Sequence, residues 1–129
     1  MFNDNRCYIY NKALLESINV TTENCVTKSK DCERFDLIRQ WAQERGIYDK
    51  GNSHTQYVKL MEEAGELAQG LLKKDGYEIK DAIGDMVVVL TNLAALEGMQ
   101  IENCIDSAYD EIKSRKGKMT NGTFVKQTL

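Results

Sequence analysis

Proline is absent from the 129 residues, and tryptophan and histidine occur once each, as Trp41 and His54. Without proline, and with few β-branched runs outside one segment, little in the chain breaks helices or favours strands, so the expected class is all-α. A single histidine leaves no Glu-x-x-His pair, which argues against a di-iron carboxylate bundle. The cysteines Cys7, Cys25, Cys32 and Cys104 form no CxxC pair and have no histidine cluster beside them, so a zinc centre is not expected and free thiols are. The most apolar run, Ile79 to Leu96, is interrupted by Lys80, Asp81 and Asp85 and cannot be a membrane span. The first residues, MFNDNRCYIYNK, are polar and show no secretory signal, which makes the cytoplasm the expected compartment. A net charge of -3 and a pI near 5.2 give no support to nucleic-acid binding.

What is present is one domain's length of chain, organised around Lys59 to Asn92. At about 100° per residue, Tyr57, Leu60, Met61, Ala64, Leu67, Ala68 and Leu71 share one face of a helix. Lys59, Glu63 and Glu66 lie on its flank, the two carboxylates spaced i, i+3, and Glu62 sits farther toward solvent. Taken alone, this is also the pattern of an ordinary solvated helix face.

The next helix decides the reading, because from Ile79 to Leu96 it is apolar round most of its circumference and should be buried on several sides. One polar stripe holds Lys80 and Thr91, with Gly84 between them. The other gathers Glu78, Asp81, Asp85 and Asn92 within roughly 60° of arc, bordered by Val88, Val89, Ala95 and Leu96. Carboxylates withdrawn from water need cations, and Lys80 lies on the wrong face to supply one. Hard oxygen ligands without histidine or cysteine favour Mg²⁺ or Mn²⁺. A helix this apolar in so short a chain also calls for cover from a second subunit, so oligomerisation is expected.

Residues 1–31 are expected to form an N-terminal extension to a domain at 32–129, with an aromatic run at Cys7–Tyr10 and a helical turn at Lys12–Ile18. Asp31 is a plausible N-cap for a helix from Cys32 to Arg45 that Gly46 stops. Trp41 on that helix is either a core anchor or a wall that stacks on a nucleobase. GIYDKGNS reads as a loop and Ser53 as the cap of the acidic helix, with His54 in its first turn a surface residue or a base contact. The Lys73-Lys74-Asp75-Gly76 turn makes the two central helices antiparallel neighbours whose acidic flanks can face each other. Gly65 and Gly84 sit mid-helix, where either close helix approach or room for a ligand would account for them. A fourth helix is expected from Ile101 to Arg115. Beyond it, Lys113, Arg115, Lys116 and Lys118 precede a glycine-containing loop, either a solvated tail or a source of cations for a polyphosphate.

KLMEEAGELAQG followed by IKDAIGDMVVVLTNLAALEGM resembles the MazG family of all-α nucleoside triphosphate pyrophosphohydrolases, whose pattern is EExxE, a spacer, then ExxD. The likeness extends through DLIRQWAQERGI upstream and RKGKMTNGTFVK downstream, covering roughly residues 33–126, and the last segment is similar to small phage-encoded members. Glu62, Glu63 and Glu66 match EExxE, and Asp85 matches the aspartate of ExxD. The fourth acid is missing, because Ala82 stands three before Asp85; Asp81 is the expected substitute, with Glu78 second.

The resemblance implies an antiparallel bundle with its core completed by dimerisation, as a dimer or dimer-based tetramer, and hydrolysis of a nucleoside triphosphate to monophosphate and pyrophosphate. In that reading Glu63, Glu66, Asp81 and Asp85 hold Mg²⁺, for which Mn²⁺ substitutes, and Glu62 or Glu63 orients or deprotonates the attacking water. Lys59, Arg115 and Lys118 neutralise phosphate, and Trp41, His54 and Asn92 contact the nucleoside. Phosphoribosyl-ATP pyrophosphohydrolase is an alternative sharing fold and chemistry. A non-catalytic helical module, its acids salt-bridged to the basic tail, is another.

Overall fold

The computed structural model describes residues 30–128, and expectations placed on residues 1–29 lie outside them. In chain order come α1 (Lys30–Glu44), α2 (Ile47–Lys50), α3 (Ser53–Lys73), α4 (Gly76–Leu96), α5 (Ile101–Ile112), β1 (Gly117–Thr120) and β2 (Thr123–Lys126). The fold is all-α, with one small hairpin added at its end.

Local chemistry sets most boundaries. Gly46, at φ 74°, takes the left-handed conformation that stops α1. The expected loop after it instead winds one short helical turn, α2. Asn52, not Ser53, caps α3: its side chain accepts from the Thr55 amide, and Thr55 returns a bond to the Asn52 backbone in a capping box. Asp75 caps α4 by accepting from the amides of Tyr77 and Glu78.

The α3–α4 antiparallel pair is the principal packing unit, and α1, α2 and α5 all add to α4. Close approach occurs at Gly70, where a Cβ would meet the Ile79 backbone nitrogen at 3.1 Å. At Gly65 and Gly84, by contrast, a Cβ would meet nothing within 4 Å, so helix contact does not account for either glycine. The hydrophobic residues buried outright among those described are small: Ala42, Ala82, Val89 and Ala94. Thr91 and Asn92 are the largest side chains wholly enclosed. Ile83, Val87 and Leu90 of α4, expected to be covered, remain open as an i, i+4, i+7 stripe, and Tyr57, Val58, Met61 and Leu72 do the same on α3.

The basic tail forms a hairpin rather than a loop, pairing Thr120 with Thr123 across Asn121 and Gly122. Both turn residues have positive φ, 50° and 77°, the twist that suits a two-residue hairpin turn. Cys32 is disulfide-bonded, which corrects the expectation of free thiols throughout, while Cys104 keeps a free thiol. No single helix among the described residues is long and apolar enough to cross a membrane.

Candidate active site

On α3 the three glutamates occupy different environments. The Glu62 side chain is 59% exposed and that of Glu63 only 5%, and Lys59 bridges them at 3.1 and 2.9 Å. This double contact holds the Lys59 ammonium above its ordinary pKa, chiefly through its hydrogen bond to Glu63. Lys59 satisfies one oxygen of Glu63. The other, Oε2, is buried and has no hydrogen-bond partner, a costly condition for a carboxylate. Glu66 is exposed.

Asp85 on α4 is half-buried, and its carboxyl is held above the usual aspartate range. Desolvation is the largest cause; the negative charges of Glu63 and Asp81 add to it, and Lys59 opposes it. Glu63, Asp81 and Asp85 therefore sit within electrostatic reach of one another, with negative charge in excess. Glu78 is engaged elsewhere, 3.3 Å from Lys73 at the corner of the hairpin of helices. Ala82, at the missing acid's position, is 2% exposed in the core, whereas Asp81 beside it is exposed. Among the described residues no group of three His, Cys, Asp or Glu side chains converges as a metal site. What the residues offer a hard cation is carboxylate chemistry and the orphaned Glu63 oxygen, not a preformed cage.

A cavity of about 1050 Å³ opens between α1, α4 and α5, with Asp81, Gly84 and Asp85 on one wall and Phe35, Ile38 and Ile105 opposite or beside them. The open space at Gly84 thus belongs to a ligand-sized hollow.

The other expected site residues are dispersed. Trp41 is 43% exposed, with the Arg45 guanidinium 4.6 Å from its ring centre, and does not line the cavity. His54 is exposed in the first turn of α3. Asn92, expected to contact the nucleoside, is enclosed in the core, where it accepts a hydrogen bond from the Tyr48 hydroxyl at 2.8 Å, and does not line the cavity. The same burial pushes the Tyr48 phenol up to about 12, against a smaller opposing effect of Arg39. Arg115 and Lys118 are exposed beyond α5, away from the cavity.

Sequence reasoning missed a clasp between α1 and α5. Arg39, 6% exposed, donates to both oxygens of Glu102 at 2.9 and 2.7 Å and to Asp36 at 2.8 Å. Burial works against the guanidinium, yet the bonds to Glu102 and Asp36 outweigh it and keep Arg39 above its ordinary pKa. The available signal was an arginine among Phe35, Ile38 and Ala42 on an otherwise apolar face.

A model of the MazG nucleotide pyrophosphohydrolase domain matches residues 52–120, more than half of the chain and all of the candidate acids. An uncharacterised 18.2 kDa protein from the rep-hol intergenic region of Haemophilus phage HP1 (strain HP1c1) is 41% identical over 75 residues, 58% of this chain. The match covers 42% of that relative, so this chain spans less than half of its length. No solved structure gives a significant match.

Proposed function

This chain belongs to the MazG nucleotide pyrophosphohydrolase domain family, and from that premise we propose that it hydrolyses a ribo- or deoxynucleoside triphosphate to the monophosphate and pyrophosphate. Such an activity would serve to cleanse or remodel a nucleotide pool. The supporting observation is the buried Glu63, one oxygen paired with Lys59 and the other without a partner, within electrostatic reach of a desolvated Asp85.

In this reading Glu63, Glu66, Asp81 and Asp85 would hold Mg²⁺ or Mn²⁺. The ion, when bound, supplies charge neutralisation for the triphosphate and activation of water. Glu62 or Glu63 orients the water toward the α-phosphorus and takes its proton. The α–β anhydride bond breaks, and the departing pyrophosphate meets the ammonium of Lys59. We assign the working form as a homodimer or dimer-based tetramer, a reading that the apolar surface left open on one copy supports.

The test is pyrophosphate release from a panel of ribo- and deoxynucleoside triphosphates and phosphoribosyl-ATP, with Mg²⁺ or Mn²⁺ and with chelator. Metal-dependent release from a nucleoside triphosphate is expected. Release from phosphoribosyl-ATP alone would move the chain to that neighbouring activity. No release, together with no calorimetric Mn²⁺ binding, would leave a helical interaction module.

A further inference from the structure

Among the described elements the C-terminal hairpin stands apart: β1 and β2 pair with each other and make no substantial contact with any helix. All eight strand residues are exposed, including Met119 at 66%, Phe124 at 47% and Val125 at 49%. A lone two-stranded hairpin is marginally stable in water, so a surface that covers these side chains would stabilise it. The segment is also basic. Residues 113–128 contain Lys113, Arg115, Lys116, Lys118 and Lys126 and no acid. Lys113 pairs with Asp110, and the other four make no ion pair among the described residues.

The complementary surface lies elsewhere in the same chain. The cavity between α1, α4 and α5 carries five acids, Asp31, Asp81, Asp85, Glu102 and Asp106, against two cations, Arg34 and Lys80, next to the apolar Phe35, Ile38 and Ile105; Arg34 pairs with Asp31, and Asp81, Asp85 and Asp106 make no ion pair among the described residues. No residue of 113–128 lines that cavity. A positive arm with an apolar face and a negative cavity with an apolar floor are thus both present but do not meet within one copy.

We propose that the hairpin of one copy docks at the α1–α4–α5 cavity of a second copy, so that Arg115 and Lys118 complete the phosphate site of the other chain. The exchange is reciprocal, as two-fold symmetry requires: each copy gives an arm and receives one. The role given to Arg115 and Lys118 rests on the hydrolase reading above; the docking itself rests on charge and apolar complementarity.

Two experiments with the full chain test it. Light scattering during gel filtration should find a dimer for the wild type and a monomer for Met119→Asp/Phe124→Asp, with helical circular dichroism unchanged because the hairpin supports no helix. A monomeric wild type, or a variant as dimeric as the wild type, overturns the proposal, and so does a hairpin that shifts DNA while leaving assembly untouched. Next, Asp85→Asn is mixed with Arg115→Ala/Lys118→Ala, each nearly inactive alone. Random exchange puts one intact composite site in half of the dimers, restoring about one quarter of wild-type turnover. An arm acting within its own chain restores none, which would overturn the proposal if the wild type is active. Should the wild type turn over no triphosphate, the hydrolase reading fails and the assembly result alone decides the docking.

Discussion

Two groups of buried charge lie in the bundle, one between α1 and α5 and one on α3 and α4, and they differ in how their charges are balanced. Around Arg39, two carboxylates meet one guanidinium through three bonds of 2.7 to 2.9 Å, and the group fastens α1 to α5. Around Glu63, one exposed ammonium serves two glutamates, one carboxylate oxygen is left bare, and Asp85 is strained by its negative neighbours. Each group leaves one buried polar atom without a hydrogen-bond partner, Arg39 Nε in the first and Glu63 Oε2 in the second, so what separates them is charge: the first sets a cation between two carboxylates, the second gathers Glu63, Asp81 and Asp85 round Lys59.

Mutation of the two groups should therefore fail in different ways. Asp85→Asn or Glu66→Gln should lower pyrophosphate release by about 100-fold or more, through loss of charge stabilisation worth several kcal/mol in the transition state. The helical circular dichroism of both should match the wild type, and undiminished turnover in both would break the comparison on its functional side. Arg39→Met should instead unfold the protein more easily, by about 3–5 kcal/mol, because Glu102 and Asp36 lose their only shared cation. Urea titration would show it, and a loss below about 1 kcal/mol would mean that the clasp is not structural.

A smaller effect is expected at Tyr48→Phe, which strands the Asn92 amide oxygen in the core at a cost of about 1–3 kcal/mol. Turnover per folded molecule should be unchanged, placing Asn92 with the architecture. The finest test uses pH without divalent ions. Asp85 has a folded pKa above its unfolded value, so the folded state holds more protons and stability falls as pH rises from the ordinary aspartate range, about 4, through that raised pKa. In chelator at neutral pH, Asp85→Asn should melt above the wild type, and Mn²⁺ should raise the melting point of the wild type only. A variant that melts lower would show that the carboxylate is structurally supported.

The helices and acids could be read ahead because both rest on short-range rules. Gly46, the Lys74-Asp75-Gly76 corner and the period of α3 and α4 act within a turn or two of chain, and Glu63 and Asp85 follow from that period. Asn92 shares a stripe with Asp85, but only tertiary packing decides that one meets a cavity and the other Tyr48. Arg39 and Glu102 lie 63 residues apart, beyond any local pattern. The hairpin was legible in principle, since Asn121-Gly122 between alternating residues is a turn signal, but the run of lysines masked it. Gly65 and Gly84 left two readings open, close helix approach or room for a ligand, and only the packing, which leaves open space at both, removes the first.

The position of Lys59 bears on how firmly Glu63 is anchored. Its ammonium sits half in water, lodged against a carboxylate almost sealed from it. An ion pair with one foot in solvent is worth about 1 kcal/mol or less. The tether is therefore light, and the amine is free to turn toward an anion at the surface without unsettling the helices.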